Sequence, residues 1–201
     1  RSIKMKDTFD TRHIASALAR QYSTMTHEEL DTLERILVPM KFAKGEMILK
    51  EGEVCENIYY IEHGLVSQLD FKNGKQITEL LGEDRTFFMC IESLFREEAT
   101  KLQVEAIEPT TVYALPKLRL EQVALHNVNI QILYRKILEE SLIISQVHAD
   151  LVRFETAQDR YKKMCKLSPQ VILRAPLVYI ASYLQMTPET LSRVRAATLL
   201  E

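Results

Sequence analysis

The sequence predicts an α+β chain: an antiparallel β-barrel or jelly roll, then one long helix, then a set of short C-terminal helices. Three observations predict it. Between Val38 and Leu115 the chain breaks into short β-rich runs separated by glycine turns, with no helix-length segment to connect parallel strands. From Val128 to Phe154 apolar residues recur at alternating spacings of three and four, the period of a helix face. Beyond that, short amphipathic pieces punctuated by prolines replace both patterns.

In chain order, "THEELDTLERIL" opens on Thr26 with Glu29 three residues later. This is the reciprocal capping pattern that satisfies two free N–H groups at a helix start. Leu30, Leu33, Ile36 and Leu37 then share one face, so a helix is expected. The strand candidates are "MILKEG", "NIYYIEHG", "LVSQLDFK", "KQITELL" and "QVEAIEPTTVYALP". Between two of them, "KNGK" places Asn73-Gly74, a pair that tolerates the positive φ a type I′ hairpin turn needs twice. All five glycines fall in this half, each beside a strand candidate.

In the long helix, Ile130, Leu133, Ile137, Ile144, Val147, Leu151 and Phe154 form a heptad series in which Glu140 is the only polar member. The series reads as the seam of a parallel two-stranded coiled coil with a second copy of the chain. A second stripe, Leu138, Leu142, Ala149 and Val152, is expected to pack on the chain's own barrel. A purely intramolecular core helix is the alternative.

The C-terminal part divides into a helix "TAQDRYKKMCKL", a Ser168-Pro169 break, a short piece to Leu173, then "PLVYIASYL", the turn "QMT" and "PETLSRVRAA". Pro176 and Pro188 suit the first turn of a helix, where a missing N–H does no harm. Thr187 is a suitable N-cap. Ile180, Ala181, Leu184, Met186, Leu191 and Val194 would form an inward seam. The last two helices read either as a helix-turn-helix or as a helical corner closing a core.

Composition narrows the classes. A chain of 201 residues with 46% hydrophobic and 27% charged residues is a folded protein of up to two modest domains. No run approaches the ~18 apolar residues of a membrane helix, and no apolar stretch of signal-peptide length follows "RSIKMKDTFD". No membrane association and a cytoplasmic location are therefore expected. Cys55, Cys90 and Cys165 lie far apart and read as buried free thiols, and the five histidines lack metal-ligand spacing, so no metal site is expected. Residues 1–152 carry 18 Lys+Arg against 24 Asp+Glu, whereas residues 153–201 carry 8 against 4. A basic end on an acidic body suits a polyanion partner. No Gly-x-Ser-x-Gly, phosphate loop or nucleophile-base spacing is present, so no enzyme is expected.

In this order the pieces resemble the cyclic-AMP receptor protein and FNR family of transcription regulators over essentially the whole chain. The resemblance begins at "KGEMILKEGEVCENIYYIEHGLV", passes through the Asn73-Gly74 hairpin and the long helix, and ends at "YIASYLQMTPETLSRVR", which is similar to a short-C-terminus subgroup. It implies a cyclic-nucleotide-binding-like jelly roll with N-terminal helices over residues 1–127, a dimerisation helix over 128–154, and a helix-turn-helix DNA-binding domain over 155–201. The implied partners are double-stranded DNA and a second copy of the chain, with RNA polymerase a further candidate. A small-molecule sensor domain without DNA binding is the alternative.

The family's nucleotide binders hold the cyclic phosphate with a Gly-Glu pair and an Arg-Ser or Arg-Thr-Ala run. Here the first place holds Cys90 and Ile91, with Glu92 one residue off, and the second holds Thr100, Lys101 and Leu102. A phosphate leaving water needs a paired charge and close N–H donors, so cyclic AMP is not expected and no cofactor is implied. An iron-sulfur cluster would need an N-terminal cysteine cluster, which is absent. By the same resemblance the DNA-facing residues are Thr187, Pro188, Glu189, Thr190, Ser192, Arg193 and Arg195. Arg193 could fork onto guanine and Glu189 could accept from a cytosine amino group, while the hydroxyls contact phosphates. Gln185 stands where many such motifs carry glycine, and Pro188 where the best-known member of the family has a base-reading arginine. The sequence stops before any β-wing, and Leu200-Glu201 reads as a cloning scar.

Overall fold

The structure, a computed structural model, describes residues 9–198. Two short helices, α1 (Thr11–Tyr22) and α2 (His27–Ile36), precede the barrel. The capping box at α2 forms as expected: the Glu29 N–H donates to Thr26 Oγ1 at 3.2 Å and the Thr26 N–H to Glu29 Oε2 at 2.8 Å.

The barrel is two four-stranded antiparallel sheets. One contains β1 (Val38–Phe42), β3 (Asn57–His63), β6 (Phe87–Phe88) and β8 (Thr110–Pro116) in the order β1-β8-β3-β6. The other contains β2 (Met47–Leu49), β4 (Val66–Lys72), β5 (Lys75–Gly82) and β7 (Gln103–Ala106) in the order β2-β7-β4-β5. The β4–β5 hairpin turns at Asn73 and Gly74 with φ of 53° and 73°, the double positive φ expected of the pair. Gly64 is required for a second reason. A Cβ there would lie 2.3 Å from Thr110 Oγ1, with φ at +127°.

α1, β1 and β6 match none of the runs singled out in the sequence, and neither do two further helices. α3 (Ile91–Arg96) fills the gap between β6 and β7, and α4 (Lys117–Ala124) follows β8 directly. The run "QVEAIEPTTVYALP" is two strands, β7 and β8, rather than one. The long helix α5 spans Val128–Phe154 as expected. It is followed by α6 (Ala157–Leu167), α7 (Pro169–Arg174), α8 (Leu177–Tyr183) and α9 (Pro188–Thr198). Pro176 is the residue before α8 rather than its first helical residue. Leu200 and Glu201 lie outside the described residues.

The buried apolar residues form two clusters, one inside the barrel and its flanking helices and one among α6–α9 that also takes in Leu65, Ile107 and Leu151. Their arrangement corrects the reading of α5. Ile130, Leu133 and Ile137 are 0% exposed and belong to the barrel core, while Leu151 is buried in the C-terminal cluster. Of the seven expected seam residues only Ile144 and Val147, each at 43%, and Phe154, at 71%, remain open. The stripe assigned to the barrel turns partly outward: Leu142 is 70% exposed, Ala149 is exposed, and Leu138 and Val152 are half-buried. Neither stripe keeps to one role: the first is buried at its start and open at Ile144, Val147 and Phe154, and in the second Leu138 packs against the barrel core while Leu142 is open, because periodicity shows that a helix has apolar faces but not what each face meets.

Candidate nucleic-acid interface and coupled cavity

The C-terminal module is built around Ile180, Ala181, Leu184 and Leu191, all buried, with Met186 and Val194 packed against them. That is the inward seam the sequence predicts. The turn between α8 and α9 places Gln185 in the left-handed region with φ of 52°, a conformation that costs a non-glycine residue about 1–2 kcal/mol. Arg160 holds the turn in place. Its Nη1 donates to Leu184 O at 3.0 Å and Gln185 O at 3.3 Å, its Nη2 to Val152 O at 2.8 Å and its Nε to Glu155 O at 3.0 Å. One guanidinium thus joins the end of α5 to the bend of the helix pair.

α9 starts cleanly, since Thr187 Oγ1 accepts from the Thr190 N–H at 3.1 Å. Opposite the buried Leu191 it presents Pro188, Glu189, Ser192 and Arg193 to solvent, with Thr190 half-buried among them. Arg193 Nη2 donates to Thr190 Oγ1 at 3.2 Å, so the guanidinium lies along this row. Hydrogen bonding to its own backbone N–H and to the Thr187 hydroxyl holds the Glu189 carboxyl below its usual value, as expected for an acid in the first turn of a helix. Arg195 departs from the expectation. It is half-buried near Tyr161 of α6, whose hydroxyl its charge lowers against the effect of burial, so it does not belong to the exposed row.

The module is docked on the barrel. Arg174 of α7 reaches two carboxylates: Nη1 donates to Asp84 Oδ2 at 3.0 Å, Nη2 to Asp84 Oδ1 at 3.2 Å, and Nη2 also to Glu108 Oε1. Burial alone would raise the Asp84 carboxyl, but Arg174 and the Gly64 N–H hold it below its ordinary value. Burial raises the Glu83 carboxyl, opposed by the backbone at Val171 and Gln170 at the start of α7 and by the charge of Arg174. On β5 the Thr78 N–H donates to Ser182 Oγ of α8 at 2.8 Å, and Tyr179 donates to Glu105 at 3.1 Å. The contact at Thr78 lies beside a register shift, where Gln68 faces Leu80 and Leu69 faces Thr78, so that Glu79 is the extra residue. β5 is an edge strand, and α8 covers one of its otherwise open N–H groups.

Beside this joint lies a cavity of about 510 Å³ between the barrel, α3, α5 and α8. Phe87, Phe88, Leu80 and Leu102 supply its apolar wall. Gln68, Glu79, Glu92, Ser141, Ser145 and His148 supply its polar groups, and Tyr183 closes it from α8. His148 stacks on Tyr183 with centroids 4.1 Å apart. His148 Nε2 lies 2.9 Å from Tyr183 O, and because a carbonyl only accepts, Nε2 carries the proton. Among the described residues the lining holds two carboxylates and neither Lys nor Arg.

The expected effector positions are only partly brought together here. Ile91 and Glu92 line the cavity, but Cys90 and Thr100 are buried outside its lining, and Lys101 is exposed. The lining residues missed in the sequence had one usable signal. Ser141, Ser145 and His148 place polar groups at helical spacing on the otherwise apolar inward face of α5. Arg160 and Arg174 offered none, since an arginine on a short helix does not announce its partners.

Residues 39–127 match the cyclic nucleotide-binding domain family. No curated protein matches the chain by sequence. Among solved structures, FixK2 from Bradyrhizobium japonicum superposes with a TM-score of 0.69 at 22% identity, covering 81% of this chain and 84% of that one. CLP, a c-di-GMP responsive global regulator from Xanthomonas campestris, gives 0.65 at 12%, covering 87% and 92%. A regulator described as of the crp/fnr family from Eubacterium rectale gives 0.64 at 12%, covering 88% and 84%. The chain has the Crp/Fnr fold.

Within this fold, the stretch that matches the cyclic nucleotide-binding domain family covers the barrel with α3 and α4, and α5 joins it to the C-terminal helices. Among the described residues no group of three or more His, Cys, Asp or Glu side chains could hold a metal ion. No helix among them is long and apolar enough to cross a membrane.

Proposed function

We propose that this chain is a DNA-binding transcription regulator of the Crp/Fnr type. It acts as a homodimer, with residues 1–127 as the sensing roll, 128–154 as the dimer helix and 155–201 as the DNA-binding part. The observation that carries this reading is the exposed row on α9. A capped helix whose other face is filled by Leu191 holds Glu189, Ser192 and Arg193 outward from a basic module. Such a helix can enter a major groove by its N-terminal half. Thr187, Thr190 and Ser192 contact phosphates, and Arg193 reads a base after leaving Thr190. The dimer seam is the outward stripe of α5 through Leu138 and Leu142. A groove of about 530 Å³ along this side is lined by both leucines together with Ile132 and Tyr134. RNA polymerase is a further partner carried by the family resemblance alone.

The test is selection of binding sites by wild type and Arg193→Ala, followed by titrations at two salt concentrations. The wild type selects a pseudo-palindrome with half-sites roughly 34 Å apart. The mutant loses about 1–3 kcal/mol and relaxes preference at one base pair per half-site. A phosphate-only role for Arg193 instead weakens all sequences evenly and flattens the salt dependence. A wild type with no sequence preference sinks the reading.

A further inference from the structure

The polar side chains inside the cavity share one hydrogen-bonding sense. Gln68 is 5% exposed, and its Nε2 donates to Met89 O at 2.9 Å and toward Cys90 Sγ at 3.9 Å. Among the described residues nothing donates to Gln68 Oε1. Opposite it on α5, the Ser141 hydroxyl donates to Ile137 O at 2.9 Å, one turn back in its own helix. His148 donates from Nε2 to Tyr183 O at 2.9 Å, which leaves Nδ1 of the neutral ring as an acceptor. All three side chains line the cavity. Each has spent its N–H or O–H on the protein, so lone pairs are what remain to an occupant.

The remaining lining narrows the class of that occupant. Phe87, Phe88, Leu80 and Leu102 call for an apolar body, and about 510 Å³ is the size of a small-molecule site. The charged groups of the lining are the exposed Glu79 and Glu92. Each has an exposed basic neighbour outside the lining, Lys72 at 4.0 Å and Arg96 at 3.5 Å, and exposed pairs of this kind hold weakly. An anion brought here would give up water and find acceptors and acids in its place. An ammonium group meets the opposite conditions, since it only donates.

We propose that this cavity binds a small apolar amine in its ammonium form, held between the barrel, α5 and α8. The ammonium donates to Gln68, Ser141 and His148, and the apolar body lies against Phe87 and Phe88. Tyr183 closes the cavity from α8, and the neighbouring Ser182 accepts from the Thr78 N–H of β5. An occupant therefore touches the barrel and the C-terminal helices together and tightens the joint between them. As an input to DNA binding this rests on the regulator reading. Binding and the response of α8 are measured without DNA, so the two readings fail separately.

The full chain is titrated calorimetrically at neutral pH with three probes. Tryptamine carries the ammonium, indole-3-propionate carries a carboxylate on the same ring and spacer, and N,N,N-trimethyltryptammonium keeps the charge but has no ammonium N–H. Tryptamine is expected to bind once per chain with a Kd below about 1 mM. The other two bind at least about tenfold more weakly, the factor that one hydrogen bond to a charged group carries. Gln68→Leu and Ser141→Ala each weaken tryptamine by about threefold or more, and saturating tryptamine slows amide exchange in α8, residues 177–183. No saturable heat up to about 10 mM, equal affinity for the carboxylate or the trimethylated probe, or binding that is indifferent to Ser141→Ala and leaves exchange in α8 unchanged each overturns the proposal. The three probes on the wild type decide the matter even if Gln68→Leu fails to fold.

Discussion

Replacing Arg160 with alanine removes a side chain that joins the end of α5 to the bend before α9. Four carbonyls lose a charged donor: Val152 and Glu155 at the helix end, Leu184 and Gln185 at the bend. A hydrogen bond to a charged group contributes about 1.5–3 kcal/mol, but the sum of four overstates the loss. Gln185 is exposed and its carbonyl regains water, and the bonds to Val152, Glu155 and Leu184 are only partly buried. The expected destabilisation of the C-terminal module is about 2–4 kcal/mol. Part of that is the left-handed Gln185 losing the contact that fixes its carbonyl. Arg160→Lys keeps the charge but cannot fork to both elements at once, so it restores less than half of the loss. Urea unfolding followed by near-ultraviolet dichroism of the module's tyrosines measures stability. Site selection then reports whether half-site spacing loosens. An Arg160→Ala protein within about 0.5 kcal/mol of wild type, the range of an ordinary surface substitution, would refute the role assigned to this side chain. A lysine variant equal to wild type would show that charge, not the fork, matters.

Three further outcomes follow from the same contacts. Leu142→Asp places a charge on the outward stripe of α5 and yields a folded monomer by light scattering, whereas Ile137→Asp, fully buried in the barrel core, unfolds the chain; a wild type already monomeric at micromolar concentration removes the dimer. The docking of α7 on the barrel is acid-labile: the Asp84 carboxyl is depressed in the folded state, so its contribution is complete above the unfolded value of about 3.9 and disappears as pH falls through the lower folded value. Cross-linking between barrel and module should fall below about pH 4, and Asp84→Asn should be weaker at neutral pH and flat across that window; an unchanged wild-type profile would show the ion pair does not hold the joint. Cyclic AMP and cyclic GMP do not bind with micromolar affinity, because the cavity offers two carboxylates and neither lysine nor arginine to a phosphate; a saturable calorimetric heat near one micromolar, about −8 kcal/mol, would show that another group supplies the charge.

What the sequence by itself determined is local. Thr26 and Glu29 cap α2, and Asn73-Gly74 turns a hairpin. Val128–Phe154 is one helix, and Thr187 with Pro188 starts the last one. Each depends on residues within a few positions of one another, where backbone sterics and capping hydrogen bonds act without regard to the rest of the chain. The inward seam of α8 and α9 was legible for the same reason, since two short helices joined by three residues have only one face each to bury. What only the tertiary structure decided is which surfaces meet. The two stripes of α5 are both apolar and both helical in period, and the choice between them was made by the barrel that fills Ile130, Leu133 and Ile137. The cavity exists because Ser141, Ser145 and His148 on α5 come to lie opposite Gln68 and Phe88 on the barrel. Arg174 finds Asp84 across 90 positions. Contacts of that separation are chosen by shape and burial, after the loop-closure entropy between the partners has been overcome, and no local pattern of residue types encodes them.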